Sequence, residues 1–234
     1  VEGGKKGPPS AVGCPVGTTV EVRELFFNTP ARRKFLKSPQ TELGHICDVI
    51  NHMALAFTGV HLRLHHGGRI IYDYVRCARI EDRLRQVLGA EVASGMAAFS
   101  LDRGRLNVSG FLSTAPASFP NTRYLSTYVN RRFVRDRVLT HAALEGYETL
   151  LMKGRYPAAA LFLELPYGEV DVNVHPAKYE VRFRRQGEVH DLVVEAVRLG
   201  LKQQAKTPLA KRDEPPGALP GFSVRETPQS YSAF

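Results

Sequence analysis

A chain of 234 residues that is 43% hydrophobic and 24% charged has the composition of a soluble globular protein with a packed core in one or two domains. Its 32 Lys and Arg against 23 Asp and Glu leave a net charge of +9, a surplus that favours a polyanionic partner. Three widely spaced cysteines, Cys14, Cys47 and Cys77, suit reduced thiols and exclude a disulfide framework, and no apolar run approaches the ~20 residues of a membrane span.

The opening "VEGGKKGPPSAVG", rich in Gly, Pro and Lys, reads as loop, and without an initial methionine or signal peptide the chain reads as a piece of something longer. "GTTVEVREL" alternates and predicts a strand burying Val20, Val22 and Leu25. Thr29-Pro30 predicts a helix start, and Ser38-Pro39 repeats that grammar. Leu43, Ile46, Cys47, Ile50, Met53, Ala54 and Phe57 then fall at helical spacing up to Gly59. "VHLRLH" and "RIIYDY" flank Gly67-Gly68 as a hairpin, so His65-His66 reads as strand end and turn, not zinc ligands. A short helix over "IEDRLRQVLG", strands over "MAAFSL", "RLNVSGFLS" and "YLSTYVN", a helix from Asp136 to Gly154, an apolar strand "AAALFLEL" and a last amphipathic helix "EVHDLVVEAVRLGLKQQ" follow. After Lys206 the chain turns Pro/Gly-rich and polar, the mark of a linker. The order predicts an α/β or α+β fold, a mixed sheet with helices largely on one face.

"DVNVHPAKYEVRF", Asp171 to Phe183, is the stretch this reading leaves unexplained. Alternation on both sides predicts two pieces of strand, yet the segment between them is neither Asn-Gly nor Asp-Gly. It carries Pro176, which fixes the backbone, and then Lys178.

Three motifs carry a resemblance. "GTTVEVRELFFNTPARRKFL", "YVN.R.V.D" from Tyr128 to Asp136, and "DVNVHPAK.EVRF" resemble, in order, signatures of the MutL family of DNA mismatch repair proteins, members of the GHKL ATPase superfamily. The resemblance covers about residues 17–203. It implies that residues 1–58 are the end of a GHKL ATPase domain, 59–205 a ribosomal-protein-like "transducer" domain, and 206–234 a flexible linker. It also implies a parent protein that binds and hydrolyses ATP with Mg2+ and acts as a homodimeric clamp. Partners implied are double- and single-stranded DNA, a MutS-type mismatch recognition protein and a downstream endonuclease or helicase, in the bacterial cytoplasm near the nucleoid and without a membrane. Lys178 matches the lysine that contacts the γ-phosphate. An ammonium with three donors on a flexible stem suits that task. Thr18 matches a threonine at the adenine end of the pocket. Arg131, Arg132, Arg135 and Arg137 form a basic cluster in the family's DNA-binding region, although Arg131 stands where the family usually has glycine.

The catalytic glutamate, the magnesium-binding asparagine and the glycine-rich lid of the superfamily have no counterpart here, and neither does the distal dimerisation domain. This segment alone is therefore expected to be inactive as an ATPase, and to hold no metal. The alternative is a stand-alone RNA- or DNA-binding module without an ATP cycle, since the transducer fold is shared with a ribosomal protein domain. An independent hydrolase has no nucleophile–base pair behind it.

Overall fold

The structure, a computed structural model, describes residues 1–113, 118–148, 150–174 and 179–206. The elements in chain order are α1 (Pro30–Arg33), α2 (Pro39–Ala56), the β1 (Leu62–His66) and β2 (Arg69–Tyr74) hairpin, α3 (Ile80–Leu88), α4 (Ala90–Ser94), β3 (Met96–Asp102), β4 (Asn107–Ser113), β5 (Ser118–Phe119), β6 (Leu125–Val129) and β7 (Arg132–Val134). They continue with α5 (Arg137–Gly146), β8 (Tyr156–Pro157), β9 (Ala159–Glu164), β10 (Val170–Asp171), β11 (Arg182–Phe183) and α6 (Gln186–Lys206).

Strands order as β3-β4-β9-β6-β7 in one five-stranded sheet. β6 and β9 run parallel and every other pair is antiparallel, so the sheet is mixed, as the element order predicts. Period-2 alternation divides its side chains. Val108, Leu112, Val129, Ala159, Leu161 and Leu163 face α5 and α6, where Leu139, Ala143, Val193 and Val197 complete the main core. Phe111, Tyr128 and Ala160 point the other way and meet Leu55 of α2 and Leu84 of α3. Helices α5 and α6 thus cover one face, and α2 and α3 add partial cover to the other. The fully buried Arg83 fastens the latter pair by donating to the carbonyl oxygens of Thr58 and Val60 at 2.9 and 2.7 Å.

Three sequence expectations fail locally. No strand forms between residues 6 and 29; a strand needs a neighbour for its backbone N–H and C=O groups, none among the described residues pairs with this segment, and Val20 and Val22 stay 81% and 70% exposed. Helix α2 stops at Ala56 with Phe57 as its C-cap, before Gly59. Helix α5 stops at Gly146, not Gly154. There Tyr147 turns inward to donate its hydroxyl to the Ser113 carbonyl at 2.9 Å, and Gly146 admits α6 so closely that a β-carbon would lie 2.5 Å from Val197 Cγ1. Arg155 lies beyond the helix and donates through Nε to the Ser118 hydroxyl at 3.2 Å.

Candidate nucleic-acid interface

The β6–β7 hairpin carries the basic cluster, and its turn explains much of the "YVN.R.V.D" motif. Asn130 and Arg131 both adopt left-handed backbone, φ +48° and +65°. Asparagine tolerates that conformation, whereas arginine does so at a cost of about 1 kcal/mol. The turn is secured by Asn130, whose Nδ2 donates to the Leu165 carbonyl and whose Oδ1 accepts from the Leu165 amide, both at 3.0 Å. Tyr128 is fully buried, its ring stacked 4.8 Å from Phe162, so a role in stacking on nucleic-acid bases is closed to it. Asp136 is the N-cap of α5 and accepts from the amides of Val138 and Leu139 at 2.9 and 3.1 Å. Burial pushes its carboxyl above the usual carboxylate range despite those two donors. Two letters of the motif thus shape the backbone and a third fills the core, and the arginines are free for other work.

Arg131, Arg132, Arg135 and Arg137 are all exposed, and among the described residues no carboxylate pairs with any of them. Arg135 lies over the rings of Tyr179 and Phe133, 5.5 and 5.8 Å from their centroids, which holds the guanidinium in place without neutralising it. Its amide also donates to the Tyr179 carbonyl at 2.7 Å. The hairpin end is therefore joined to the residue at which "DVNVHPAKYEVRF" resumes.

That stretch does contain paired strands, two residues each, with Val170 opposite Phe183 and Asp171 opposite Arg182. Asn173 donates its amide to Asp171 Oδ1 at 2.8 Å as the chain leaves β10. Lys178, with His175, Pro176 and Ala177, lies outside the described residues. Thr18 is exposed on the segment that forms no strand, and it does not line the grooves that the arginines line.

Two grooves flank the hairpin. One of about 810 Å³ is lined by Arg123, Arg135 and Arg137 together with Asn51, Tyr124 and His141. The other, about 450 Å³, is lined by Arg131, Arg132 and Tyr179 against Val49, Met53 and Phe57 of α2 and its end. His52 borders both, its ring stacked on Phe133 at 3.4 Å between centroids. Helix α2 and Arg123 thus belong to this face, which single-residue reading of α2 as an amphipathic helix did not reveal. Tyr124 is half-buried against Phe119 at 4.3 Å.

Burial, with Arg135 adding to it, holds the His52 imidazole down at about 4. The folded protein keeps this ring neutral where the unfolded chain takes up a proton, so its contribution is complete above pH ~6.5 and is lost as the pH falls toward 4. Urea unfolding at pH 7.5 and 4.5 should show that loss, and His52→Phe should reduce it. An equal loss in the variant would assign the pH dependence elsewhere.

Residues 84–202 match the family model described as DNA mismatch repair protein, C-terminal domain. The DNA mismatch repair protein MutL of Syntrophotalea carbinolica is 41% identical over 247 residues, covering all of this chain and 39% of that protein. The MutL of Ralstonia nicotianae is 46% identical over 210 residues, covering 87% of this chain and 33% of its own. The chain spans about two fifths of the curated relatives it matches, or less. Among solved structures, the N-terminal domain of a DNA repair protein superposes with a TM-score of 0.63 at 23% identity, over 76% of this chain and 59% of that one. The ATPase domain of the mismatch repair endonuclease MutL of Aquifex aeolicus gives 0.52 at 20%, over 75% and 59%. Both likenesses concern the fold, and no helix among the described residues is long and apolar enough to cross a membrane.

Proposed function

Because this chain belongs to the MutL family of DNA mismatch repair proteins, we propose that it is the DNA-contacting and nucleotide-sensing section of an ATP-gated, homodimeric repair clamp. The supporting observation is the group of four exposed arginines, from the β6–β7 turn to the start of α5, with which no carboxylate among the described residues pairs. Guanidinium groups so arranged donate to phosphate oxygens along a duplex, which fixes a protein on DNA without reading its sequence. Arg123, in the larger groove, extends the track. In this reading residues 1–58 complete an ATPase domain, 59–205 are the transducer and 206–234 a linker. ATP and Mg2+ are held by upstream residues of the parent, with Thr18 at the adenine end. A MutS-type protein and a downstream endonuclease or helicase are its partners, in the cytoplasm beside the nucleoid.

The stretch "VHPAK" is assigned the link between the two activities. Lys178 supplies a cation for the terminal phosphate of a nucleotide bound in the neighbouring domain, a charge-assisted contact worth roughly 1.5–3 kcal/mol. That contact vanishes with the γ-phosphate, so it reports nucleotide state. In a protein that includes the upstream ATPase residues, Lys178→Ala should lower ATP turnover about tenfold or more and leave duplex affinity within twofold. Unchanged turnover would remove the sensor role. The rival reading, a nucleic-acid binding module with no ATP cycle, requires a preference for structured RNA and no response of the parent to ATP.

A further inference from the structure

At the rim of the larger groove, helices α5 and α6 bring together a group of side chains to which the DNA reading assigns no role. His141 and Glu145 are one turn apart on α5, and His190 faces them from the first turns of α6. His141 Nδ1 lies 3.1 Å from His190 Nε2 and 3.9 Å from Glu145 Oε2, and His190 Nε2 lies 3.4 Å from the same oxygen. Three ligand atoms of a tetrahedral zinc ion, with bonds of 2.0–2.1 Å, stand ~3.3 Å apart. The observed triangle is already close to that size.

The surroundings favour the same use. His190 Nδ1 is 3.2 Å from Asp191 Oδ1, an arrangement that keeps the proton on Nδ1 and frees the Nε2 lone pair to face the other two groups. Glu145 is oriented by Arg198, whose Nη2 donates to Oε1 at 3.4 Å and leaves Oε2 turned toward the imidazoles. Arg198 opposes a cation, and Glu145 and Asp191 together outweigh it. Two imidazoles and one carboxylate are a borderline donor set, matched to zinc and its neighbours and poorly matched to magnesium or calcium. His141 is exposed, while Glu145 and His190 are half-buried, so an ion can enter from solvent and keep one position open.

We propose that His141, Glu145 and His190 form a binding site for one divalent transition-metal ion, zinc before others, which fastens α5 to α6 beside the larger groove. The ligands lie 49 residues apart at the widest, so the ion closes a long loop and stabilises the folded state by mass action. Untagged full chain, stripped of metal with a chelator, is titrated with ZnCl2 by calorimetry and melted with and without the ion. One ion per chain with a Kd of about 10 µM or tighter is expected. At a free concentration 100-fold above Kd, Tm should rise by about 5 °C. His141→Ala and Glu145→Gln should each weaken binding at least ~10-fold while leaving the far-ultraviolet circular dichroism unchanged. The double variant His65→Ala/His66→Ala should bind as the parent chain does, and MgCl2 should shift nothing. Zinc bound equally well by the His141 and Glu145 variants, or no binding up to 1 mM with an unshifted Tm, would overturn the site and leave a hydrogen-bonded histidine pair beside a carboxylate.

Discussion

The double variant Arg131→Glu/Arg132→Glu is expected to bind duplex DNA about 60-fold more weakly than the unmodified chain at ~0.1 M salt. Each phosphate contact adds ~0.9 to the slope of log affinity against log salt, which at ~0.1 M salt is a factor of about 8 per contact. The slope itself should therefore fall by about two. Fluorescence anisotropy on one labelled duplex at several salt concentrations measures both. Arg131→Gly separates charge from shape: glycine accepts the left-handed backbone that Arg131 adopts at φ +65°. That variant should be slightly more stable and lose only one unit of slope. If the double variant kept the original slope, the hairpin arginines would be solvated surface and the DNA face would lie elsewhere.

The largest effect on stability is expected at Gly110→Ala. Gly110 lies in β4 between β3 and β9, with φ +152°. A β-carbon there would lie 1.9 Å from the carbonyl oxygen of Ala160, a backbone atom that cannot rotate away. The two central strands would have to separate, breaking ladder hydrogen bonds and opening the core on both faces. A loss of about 4 kcal/mol or more follows, against a total of roughly 5–15 for a domain, so the variant should be largely unfolded or melt far below the parent chain. A parental Tm would mean that β4 and β9 do not approach as described.

What could be read from the residues follows a physical division. Helices α2 and α6, the Gly67-Gly68 hairpin and four strands of the main sheet were legible, because their apolar period survives whatever they pack against, whereas the three-residue β7 is too short and too basic to show one. Residues 17–25 alternate equally well and form no strand; pairing belongs to two segments, and periodicity sees one. The helix predicted to Gly154 ends eight residues early because Tyr147 finds the Ser113 carbonyl, a partner 34 positions away. The four arginines were legible as charge, but their company was not. Helix α2 supplies the apolar wall beside them, and His52 and Arg123 join the same face only through the fold. The expectation of no metal ligands came from neighbouring histidines and cysteines, and the proposed site joins His141 and Glu145 of α5 to His190 of α6, a grouping that only the fold brings together. The family itself was readable from three long motifs, and within one of them Asn130 and Asp136 are now accounted for by the turn and the helix cap they make.

Amide hydrogen exchange of the chain with and without a saturating duplex tests the central proposal most directly. The account predicts slowed exchange over residues 123–137, at Tyr179 and along α2, with no change in the β1–β2 hairpin. Protection confined to β1–β2, or to the outer side of α6 with the arginine hairpin unaffected, would contradict it.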